Sequence, residues 1–340
     1  MDLSIVTTLY QSEAFVAAFH ARVTAAARSL SDRWELIYVV DGATDGSLRE
    51  ACRVAAGDPH VVVVELARNF GHHPAIMAGL ARARGERVFL VDVDLEEPPE
   101  LLLPFWAALD GGDWDVVFGQ QARRKGGTWE RWSGAVFYRL FNRLSGLDLP
   151  PSLLTVRLMR RRYVDALLQY REREFCFGPV AAHAGFRQRA LPVVKGSRPG
   201  STYTFARKLA LTLRAVTSFS DRPLTLLAVL GLAILLLSGA ALGWALLTRF
   251  ALGRPVPGFT SLLISIWFLG GLSVFAIGVT GLYVGRVFRE VKGRPSVLVR
   301  AVHAAGAAGV PGATAADAGA PAGEVALADG PRVDREALRC

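Results

Sequence analysis

Short apolar runs alternate with longer amphipathic segments over the first 200 residues of the chain. The predicted strands, each a short run rich in β-branched or aromatic residues, are Leu3–Thr8, Trp34–Val40, Val61–Leu66 and Arg87–Val91. The predicted helices between them are Glu13–Leu30, Gly46–Ala56, with Asp45 as its expected cap, and His73–Ala83. Because strands and helices alternate, residues 1–200 are predicted to form an α/β domain with a mostly parallel sheet covered on both faces.

Two long apolar runs, Leu224–Leu247 and Phe259–Val284, contain no charged residue. Each is longer than the ~20 residues that cross a bilayer, and the connector between them is short and contains prolines. Residues 223–286 are therefore predicted to form a two-helix transmembrane hairpin. Basic residues crowd both outer flanks, whereas the connector contains only Arg249 and Arg254. This asymmetry predicts that the α/β domain and the C-terminal segment both face the cytoplasm.

Two further segments carry an apolar stripe at helical spacing. Tyr203–Phe219, within the linking segment 201–222, has the pattern of an amphipathic helix that lies in the membrane interface. Trp129–Leu144 has a similar stripe, which fits either an interfacial helix or a helix packed on the soluble core. Residues 287–340 are predicted to form a cytoplasmic exit segment and a tail. The Ala-, Gly- and Pro-rich stretch His303–Cys340 is predicted to be disordered.

The chain of 340 residues has a net charge of +9, which fits nucleic acid, anionic lipid or phosphorylated substrates as partners. The sequence has no aromatic-basic RNA motif, no zinc-spaced Cys/His set, no Gly-x-Gly-x-x-Gly fingerprint and no Walker loop. Cys52, Cys176 and Cys340 lie far apart, so neither a disulfide framework nor a metal cluster is expected. No nucleic acid is therefore expected, and lipids and phosphorylated substrates are favoured.

The candidate chemistry is concentrated where the fourth predicted strand ends, in the sequence VDVDLEEPPEL. Asp92 and Asp94 are two residues apart, so on a continuing strand their side chains would share one face at the carboxyl end of the sheet. Paired carboxylates suit Mg²⁺ or Mn²⁺ carrying a phosphate. A solvated acidic turn is the alternative. Glu96 fits either the metal shell or the N-terminal acid of a following helix.

The order of the motifs resembles that of GT-A glycosyltransferases of family 2. More closely it resembles the polyprenyl-phosphate glycosyltransferases, the group of dolichyl-phosphate mannose synthase and the bacterial undecaprenyl-phosphate sugar transferases. The matching segments are Val39–Ser47, Leu66–Gly71, Ala75–Leu80, Asp92–Leu101, Val116–Gly126, Phe137–Leu144, Arg157–Met159, Ile264–Gly285 and Val291–Arg300. The resemblance therefore covers almost all of residues 3–300.

This resemblance implies a fold, an activity and a location. The fold would be a Rossmann-like GT-A domain on the membrane hairpin. The activity would be transfer of a sugar from a nucleotide-sugar donor to polyprenyl (undecaprenyl) phosphate, with Mg²⁺ or Mn²⁺ as cofactor, for cell-envelope glycan modification. Together with the Arg-over-Lys, Ala-rich composition, it implies a bacterial enzyme of the inner (cytoplasmic) membrane, multi-pass, with its catalytic domain and tail in the cytoplasm.

The resemblance also assigns roles to residues. The expected nucleotide-sugar-binding residues are Thr8, Tyr10, Asp41, Arg68, Asp92 and Val93, and the expected acceptor phosphate-binding residues are Arg123, Arg124, Lys125, Arg131, Lys195 and Arg198. The expected catalytic residues are Asp92, Asp94 and Arg131, and the expected metal ligands are Asp92, Asp94 and Glu96.

Each of these roles has a plainer alternative. Asp41 also fits a turn, and Arg68 fits a surface salt bridge. The basic stretch that begins at Arg123 fits attraction to anionic lipid headgroups, and the loop from Lys195 fits a plain linker. The adjacent histidines at positions 72 and 73 are expected to cap a helix or to face solvent rather than to bind metal.

Two departures from the family pattern bear on the acceptor. Val40–Asp41 stands where two acidic residues are usual, and Ser152–Val156 lacks an acidic residue that many members have before Arg157. A hydroxyl acceptor needs a general base, whereas a lipid phosphate is already an anion, so the loss favours a phosphate acceptor. A hydroxyl acceptor on a lipid or glycan, and a non-catalytic nucleotide-sugar- or lipid-binding scaffold, stay open. Glycines in the second span permit close helix contact and hence a homo-oligomer.

Overall fold

The computed structural model describes residues 1–121, 153–170, 172, 177–194, 224–227, 229–234, 236–237, 240, 244, 258–305 and 307–311. The strands are β1 (Leu3–Leu9), β2 (Trp34–Val40), β3 (Val61–Leu66), β4 (Arg87–Leu90), β5 (Val116–Gln121), β6 (Leu153–Arg160), β7 (Gln188–Val193), β8 (Val299–Ala304) and β9 (Ala307–Pro311). The helices labelled here are α1 (Glu13–Arg28), α2 (Ser47–Gly57), α3 (His72–Arg82), α4 (Leu102–Asp110), α5 (Arg161–Leu167), α6 (Phe177–His183) and α7 (Phe259–Val291).

The described strands form one sheet in the order β7-β5-β6-β4-β1-β2-β3-β8-β9. Its centre, β3-β2-β1-β4, is parallel throughout, which confirms the predicted α/β domain with a mostly parallel sheet. β6 runs antiparallel between β4 and β5, and β8 runs antiparallel to β3. The four parallel strands therefore all present their carboxyl ends at one edge, where ligands bind in open sheets of this kind.

Helices cover both faces of the sheet and enclose two apolar cores. Successive side chains of β1 point to opposite faces, so Ile5 packs in one core with Phe19 of α1, whereas Val6 packs in the other with α3. Gly79 brings α3 close to the sheet, because a Cβ atom there would overlap the side chain of Val6. This close packing fixes the position of the amino end of α3 above the ends of β1 and β2.

The C-terminal helix α7 contains one segment, Phe268–Val291, that is long and apolar enough to cross a membrane. The segment has a mean hydropathy of 1.7 and none of it is buried by the protein. It overlaps the second predicted span, although the helix continues to Val291 instead of ending at Val284. The first predicted span lies only partly within the described residues, and those that are described there are helical. The two-helix hairpin thus stays a prediction.

The predicted disorder from His303 onward is wrong for the residues that β8 and β9 contain. β8 pairs with β3, and β9 pairs with β8, so the sheet takes up residues that follow helix α7 in the chain. The open edge of β3 supplies backbone hydrogen-bonding groups that composition alone does not reveal, and they order this low-complexity segment. The remaining tail, 312–340, and both predicted amphipathic helices lie outside the described residues.

Candidate active site

The strand order creates a switch point between β1 and β4. From β1 the chain proceeds to β2 and β3 on one side, and it then crosses through α3 to β4 on the other side. Ligands of open α/β sheets bind in the crevice outside the carboxyl ends of the strands at such a point. Thr8 is near the end of β1, Asp92 follows β4 and His72 begins α3, so these three residues border the expected crevice.

The two aspartates lie in a turn beyond β4 and not on the strand itself. β4 ends at Leu90, and Asp94 Oδ1 accepts a hydrogen bond from the backbone N–H of Glu96 at 3.1 Å. Leu95 has a φ of 61°, a strained conformation for a residue with a side chain. Burial nevertheless alternates through this segment, because Val91 and Val93 are buried whereas Asp92 and Asp94 are partly exposed. A shared face for the two carboxylates stays a prediction.

Asp41 anchors the loop that follows β3. The residue is buried, and its Oδ1 and Oδ2 accept hydrogen bonds from the backbone N–H groups of Phe70 at 2.7 Å and Gly71 at 2.9 Å. The next residue, Gly42, has a φ of 58°, and a Cβ atom there would overlap the backbone of Asn69. The loops after β2 and β3 therefore hold each other in place at the crevice. A contact between Asp41 and a nucleotide stays a prediction.

Substitution Gly42→Ala is expected to disturb this pair of loops. The left-handed conformation costs a residue with a Cβ atom roughly 1–2 kcal/mol, and the overlap with Asn69 must push the β3–α3 loop outward. We expect a lower melting temperature and weaker binding of nucleoside diphosphate, measured by thermal unfolding and calorimetry. Gly57→Ala is the matched control, because a Cβ atom at Gly57 meets no atom within 4 Å. Equal behaviour of the two variants would contradict this account.

His72 connects the two sides of the crevice. Its Nδ1 lies 3.1 Å from Thr8 Oγ1, and its Nε2 lies 3.7 Å from Asp92 Oδ1. The side chain of His72 is 42% exposed and that of Asp92 is 26% exposed, so both are accessible to a ligand. The ring therefore extends from the end of β1 to the loop after β4. These contacts differ from the predicted roles, in which His72 would only cap the helix or face solvent.

His73, the next residue, points into the protein. Burial lowers the pKa of His73 from 6.5 to about 4, with smaller effects of the same sign from His72 and Arg157. Its Nδ1 atom is buried and has no hydrogen-bond partner among the residues that the structure describes. The folded protein therefore holds this ring neutral at physiological pH.

The neutral state of His73 predicts a loss of stability in mild acid. Below pH 6.5 this histidine is protonated in the unfolded chain, whereas in the folded protein it stays neutral down to about pH 4. Folding therefore becomes less favourable as the pH falls through this window. The difference of pKa corresponds to about 3 kcal/mol. We expect His73→Gln to flatten the fall of melting temperature between these two pH values. Parallel curves for the two proteins would contradict the assignment.

A buried arginine, Arg157, lies close enough to the acidic turn to interact electrostatically with it. Arg157 of β6 is buried, its guanidinium donates hydrogen bonds to the backbone oxygens of Thr155 and Leu154, and it lies 4.4 Å from the ring centre of Phe177. Burial lowers the pKa of Arg157, whereas Tyr163, Glu97 and Asp92 act in the opposite direction.

Glu97 ties the acidic turn to the same strand. The residue is buried, and its Oε2 accepts a hydrogen bond from the backbone N–H of Val156 at 3.0 Å. Val156 immediately precedes Arg157 in β6. This hydrogen bond thus connects the segment that contains Asp92 and Asp94 to β6.

The structure places the other described site residues around the same edge. Tyr10 is exposed just after β1, whereas Val93 is buried, so a contact between Val93 and the donor stays a prediction. The guanidinium of Arg68 lies 4.0 Å from the ring centre of Phe70 instead of extending outward. A short 3₁₀ helix, Pro99–Leu101, follows the turn, and the acid in its first turn is Glu100 and not Glu96. Residues Arg123, Arg124, Lys125, Arg131, Lys195 and Arg198 lie outside the described part of the chain.

Comparison with known proteins identifies the family. The family model described as Glycosyl transferase family 2 matches residues 4–168. A protein of Mycobacterium tuberculosis described as "Putative glycosyltransferases" is 43% identical over 303 residues, which cover 89% of each chain. The chain belongs to glycosyltransferase family 2. An SfII prophage-derived bactoprenol glucosyl transferase of Shigella flexneri is 31% identical over 89% of this chain and 99% of its own length.

Among solved structures, Staphylococcus aureus TarS 1-349 in complex with UDP-GlcNAc is similar to this family 2 glycosyltransferase. The similarity covers 65% of this chain and 68% of that one, with a TM-score of 0.43 and 17% sequence identity.

Two residues beside the crevice, His72 and Glu97, make contacts that the sequence does not predict. The sequence favours a helix-capping or solvent-facing role for His72 and assigns no role to Glu97. A signal for His72 is present in the sequence: it directly follows the loop after a predicted parallel strand, and such loops meet at the carboxyl edge of the sheet. No comparable signal exists for Glu97, because its partner Val156 is 59 residues away in sequence.

The carboxylates of this glycosyltransferase fit a divalent cation that is bound jointly by the protein and by a substrate phosphate. No group of three or more His, Cys, Asp or Glu residues placed to hold a metal occurs within the described ranges. Mg²⁺ commonly takes only one or two protein carboxylates and completes its shell with water and substrate phosphates. The carboxylates of Asp92 and Asp94 match that requirement. They therefore fit a cation whose coordination shell is completed by a diphosphate.

Proposed function

We propose that this glycosyltransferase transfers a sugar from a nucleotide-sugar donor to polyprenyl (undecaprenyl) phosphate and releases a nucleoside diphosphate. The observation that carries the proposal is the similarity to the bactoprenol glucosyl transferase of Shigella flexneri, which extends over 89% of this chain and 99% of the relative. A match of this length includes the apolar helix α7 as well as the α/β domain. The product would be a lipid-linked sugar for cell-envelope glycan modification.

The donor is proposed to bind at the switch point between β1 and β4. Thr8 and Tyr10 border the crevice from β1, and Asp92 and Asp94 border it from the turn after β4. These two carboxylates would hold Mg²⁺ or Mn²⁺ at the donor diphosphate. When bound, the cation supplies positive charge that stabilises the leaving diphosphate. The hydrogen bond within the turn would keep the carboxylate of Asp94 oriented before the donor arrives, which lowers the cost of reorganisation.

The acceptor is proposed to be a phosphate because of the residues before Arg157. Where many polyprenyl-phosphate glycosyltransferases have an acid, this chain has the segment Ser152–Val156, which contains none. Val156 is buried, and its N–H donates a hydrogen bond to Glu97. A hydroxyl nucleophile would need a base to remove its proton. A phosphate monoester is an anion at neutral pH, so an oxygen of the lipid phosphate can attack the anomeric carbon without one. Positioning of the two substrates then supplies much of the catalysis.

The membrane location is proposed from α7 and from the basic flanks of the apolar runs. The exposed apolar surface of Phe268–Val291 would lie in the bilayer, and Leu224–Leu247 would form the other half of a hairpin in the inner membrane. The α/β domain would face the cytoplasm, where nucleotide sugars are made. Basic residues of the segments around Arg123–Arg131 and Lys195–Arg198 would bind the acceptor phosphate. Gly270, Gly271 and Gly281 would permit contact between copies within the membrane.

A transfer assay with the full chain in detergent tests the proposed function. The protein is mixed with undecaprenyl phosphate, Mg²⁺ or Mn²⁺, and radiolabelled UDP-glucose, UDP-galactose, UDP-N-acetylglucosamine or GDP-mannose in turn. We expect one donor to give an acid-labile labelled lipid, and we expect chelation of the cation to abolish the signal. Label that reaches no lipid with any donor, while the protein still binds a nucleotide in the presence of metal, would instead favour a non-catalytic scaffold.

A further inference from the structure

The contacts of His72 are unusual for an exposed residue at the start of a helix. One ring nitrogen lies beside a hydroxyl on β1, and the other lies beside a carboxylate beyond β4, at 3.1 Å and 3.7 Å. The sheet order separates these two partners by the crevice of the switch point. His72 therefore contacts both sides of the crevice in which the donor is proposed to bind, namely β1 through Thr8 and the turn after β4 through Asp92.

The backbone leaves His72 little freedom to move away. The preceding residue, Gly71, has a φ of 102°, and its N–H donates to the buried carboxylate of Asp41. The following residue, His73, is anchored in the interior, and the two rings lie 5.4 Å apart. Helix α3 itself is held against β1 through Gly79. The position of His72 is thus fixed by a buried loop contact on one side and by a packed helix on the other.

An imidazole ring suits this position because it has two nitrogens, one for the hydroxyl of Thr8 and one for the carboxylate of Asp92. The hydroxyl of Thr8 can both donate and accept, so it is compatible with Nδ1 whether or not that nitrogen carries a proton. Nε2 faces Oδ1 of Asp92 at 3.7 Å, a polar contact longer than a direct hydrogen bond, and a shift of less than about 1 Å would allow Nε2–H to donate to it. Residues that hydrogen-bond a metal-ligating carboxylate orient it, and their loss typically costs 10–100-fold in metal affinity or activity.

We propose that His72 is a positioning residue, which holds the carboxylate of Asp92 for the divalent cation and is itself held by Thr8. This inference rests on the proposed function, because it concerns the same cation and diphosphate. It assigns His72 no proton transfer and no contact with the reacting atoms. Its consequence is specific: loss of the imidazole lowers the affinity for the cation more than it lowers the turnover at saturating cation.

Binding of Mn²⁺ together with UDP, GDP or TDP tests this inference on the full chain in detergent. The first step finds the nucleoside diphosphate that the wild-type protein binds in a Mn²⁺-dependent manner, by calorimetry. The second step measures the Mn²⁺ concentration for half-maximal binding of that nucleotide in variants. We expect His72→Ala to raise this concentration by about 10–100-fold. We expect His72→Gln, which keeps an N–H donor at a similar reach, to recover most of the loss, and Thr8→Val to show a smaller loss.

The control is His60→Gln, which alters another histidine–carboxylate pair at the opposite edge of the sheet. His60 Nδ1 lies 2.9 Å from Asp58 Oδ1 just before β3, so this substitution should leave the Mn²⁺ dependence unchanged. A His72→Ala protein with a wild-type Mn²⁺ dependence, or one that Gln fails to rescue while its melting temperature falls, would overturn the inference alone. A wild-type protein that binds none of the three nucleotides with Mn²⁺ would overturn the proposed function as well.

Discussion

Substitution Asp94→Asn is expected to lower the rate of sugar transfer by about 10²–10³-fold, the cost typical of one lost electrostatic contact to a transition state. Asparagine keeps an oxygen that can accept the hydrogen bond from the N–H of Glu96, so the turn should keep its shape. It lacks the negative charge that makes a carboxylate a stronger ligand of a divalent cation than a neutral amide. The loss should therefore appear in transfer and in metal-dependent nucleotide binding, with little change in melting temperature.

Asp165→Asn is the matched control for this experiment. Asp165 is exposed on α5 and pairs with Arg161 at 3.4 Å, a surface contact of the kind that contributes at most ~1 kcal/mol. We expect this variant to retain wild-type transfer. If Asp94→Asn retained it as well, Asp94 would not be a ligand of an essential cation, and the assignment of the acidic turn would be wrong.

Substitution Glu35→Ala is expected to give the largest loss of stability, by about 3 kcal/mol, because the hydroxyl of Ser4 and the backbone N–H of Arg84 lose a buried, charged acceptor. Glu35 of β2 is buried, and its carboxylate accepts hydrogen bonds from the hydroxyl of Ser4 at 2.6 Å, from the backbone N–H of Arg84 at 2.8 Å and from the Arg84 guanidinium at 2.7 Å. For a domain of this size the loss corresponds to a melting temperature lower by about 6–12 °C.

Glu35→Gln distinguishes the hydrogen bonds from the charge. Glutamine keeps the shape and an acceptor oxygen, so we expect a loss well below that of Glu35→Ala. The cluster lies at the amino ends of the parallel strands, on the edge opposite the candidate site. Both variants should thus bind donor nucleotide normally at temperatures where they remain folded. A melting temperature of Glu35→Ala equal to that of the wild type would show that the cluster contributes nothing to stability.

Much of the fold was predictable because a parallel sheet leaves a strong local pattern. Strands buried on both faces read as continuous apolar runs, of which residues 88–91 are an example, and the predicted helices lie between the runs. The antiparallel additions were not predictable in the same way. The docking of β8 on β3 depends on an open edge and on residues more than two hundred positions apart, and low-complexity composition gives no indication of such a partner.

The candidate site was predictable in location but not in geometry. The paired aspartates identified the carboxyl edge of the sheet, and the structure places Thr8, Asp41 and Asp92 at that edge. The end of the strand at Leu90 and the turn with positive φ at Leu95 were not predicted, because they depend on local backbone geometry that the apolar pattern does not reveal. The contact of His72 with Asp92 depends on the order of β1 and β4 in the sheet, which local periodicity does not specify.

The most direct test of the central claim compares two acceptors with the full-length protein and the donor found in the transfer assay. Undecaprenyl phosphate and undecaprenol are offered separately, and the lipid product and the released nucleoside diphosphate are both quantified. The account predicts one nucleoside diphosphate released for each sugar attached to undecaprenyl phosphate, no product from undecaprenol, and loss of the reaction in Asp94→Asn. Transfer to undecaprenol at a comparable rate would contradict it, because a hydroxyl acceptor would then be used without the acid that is missing before Arg157.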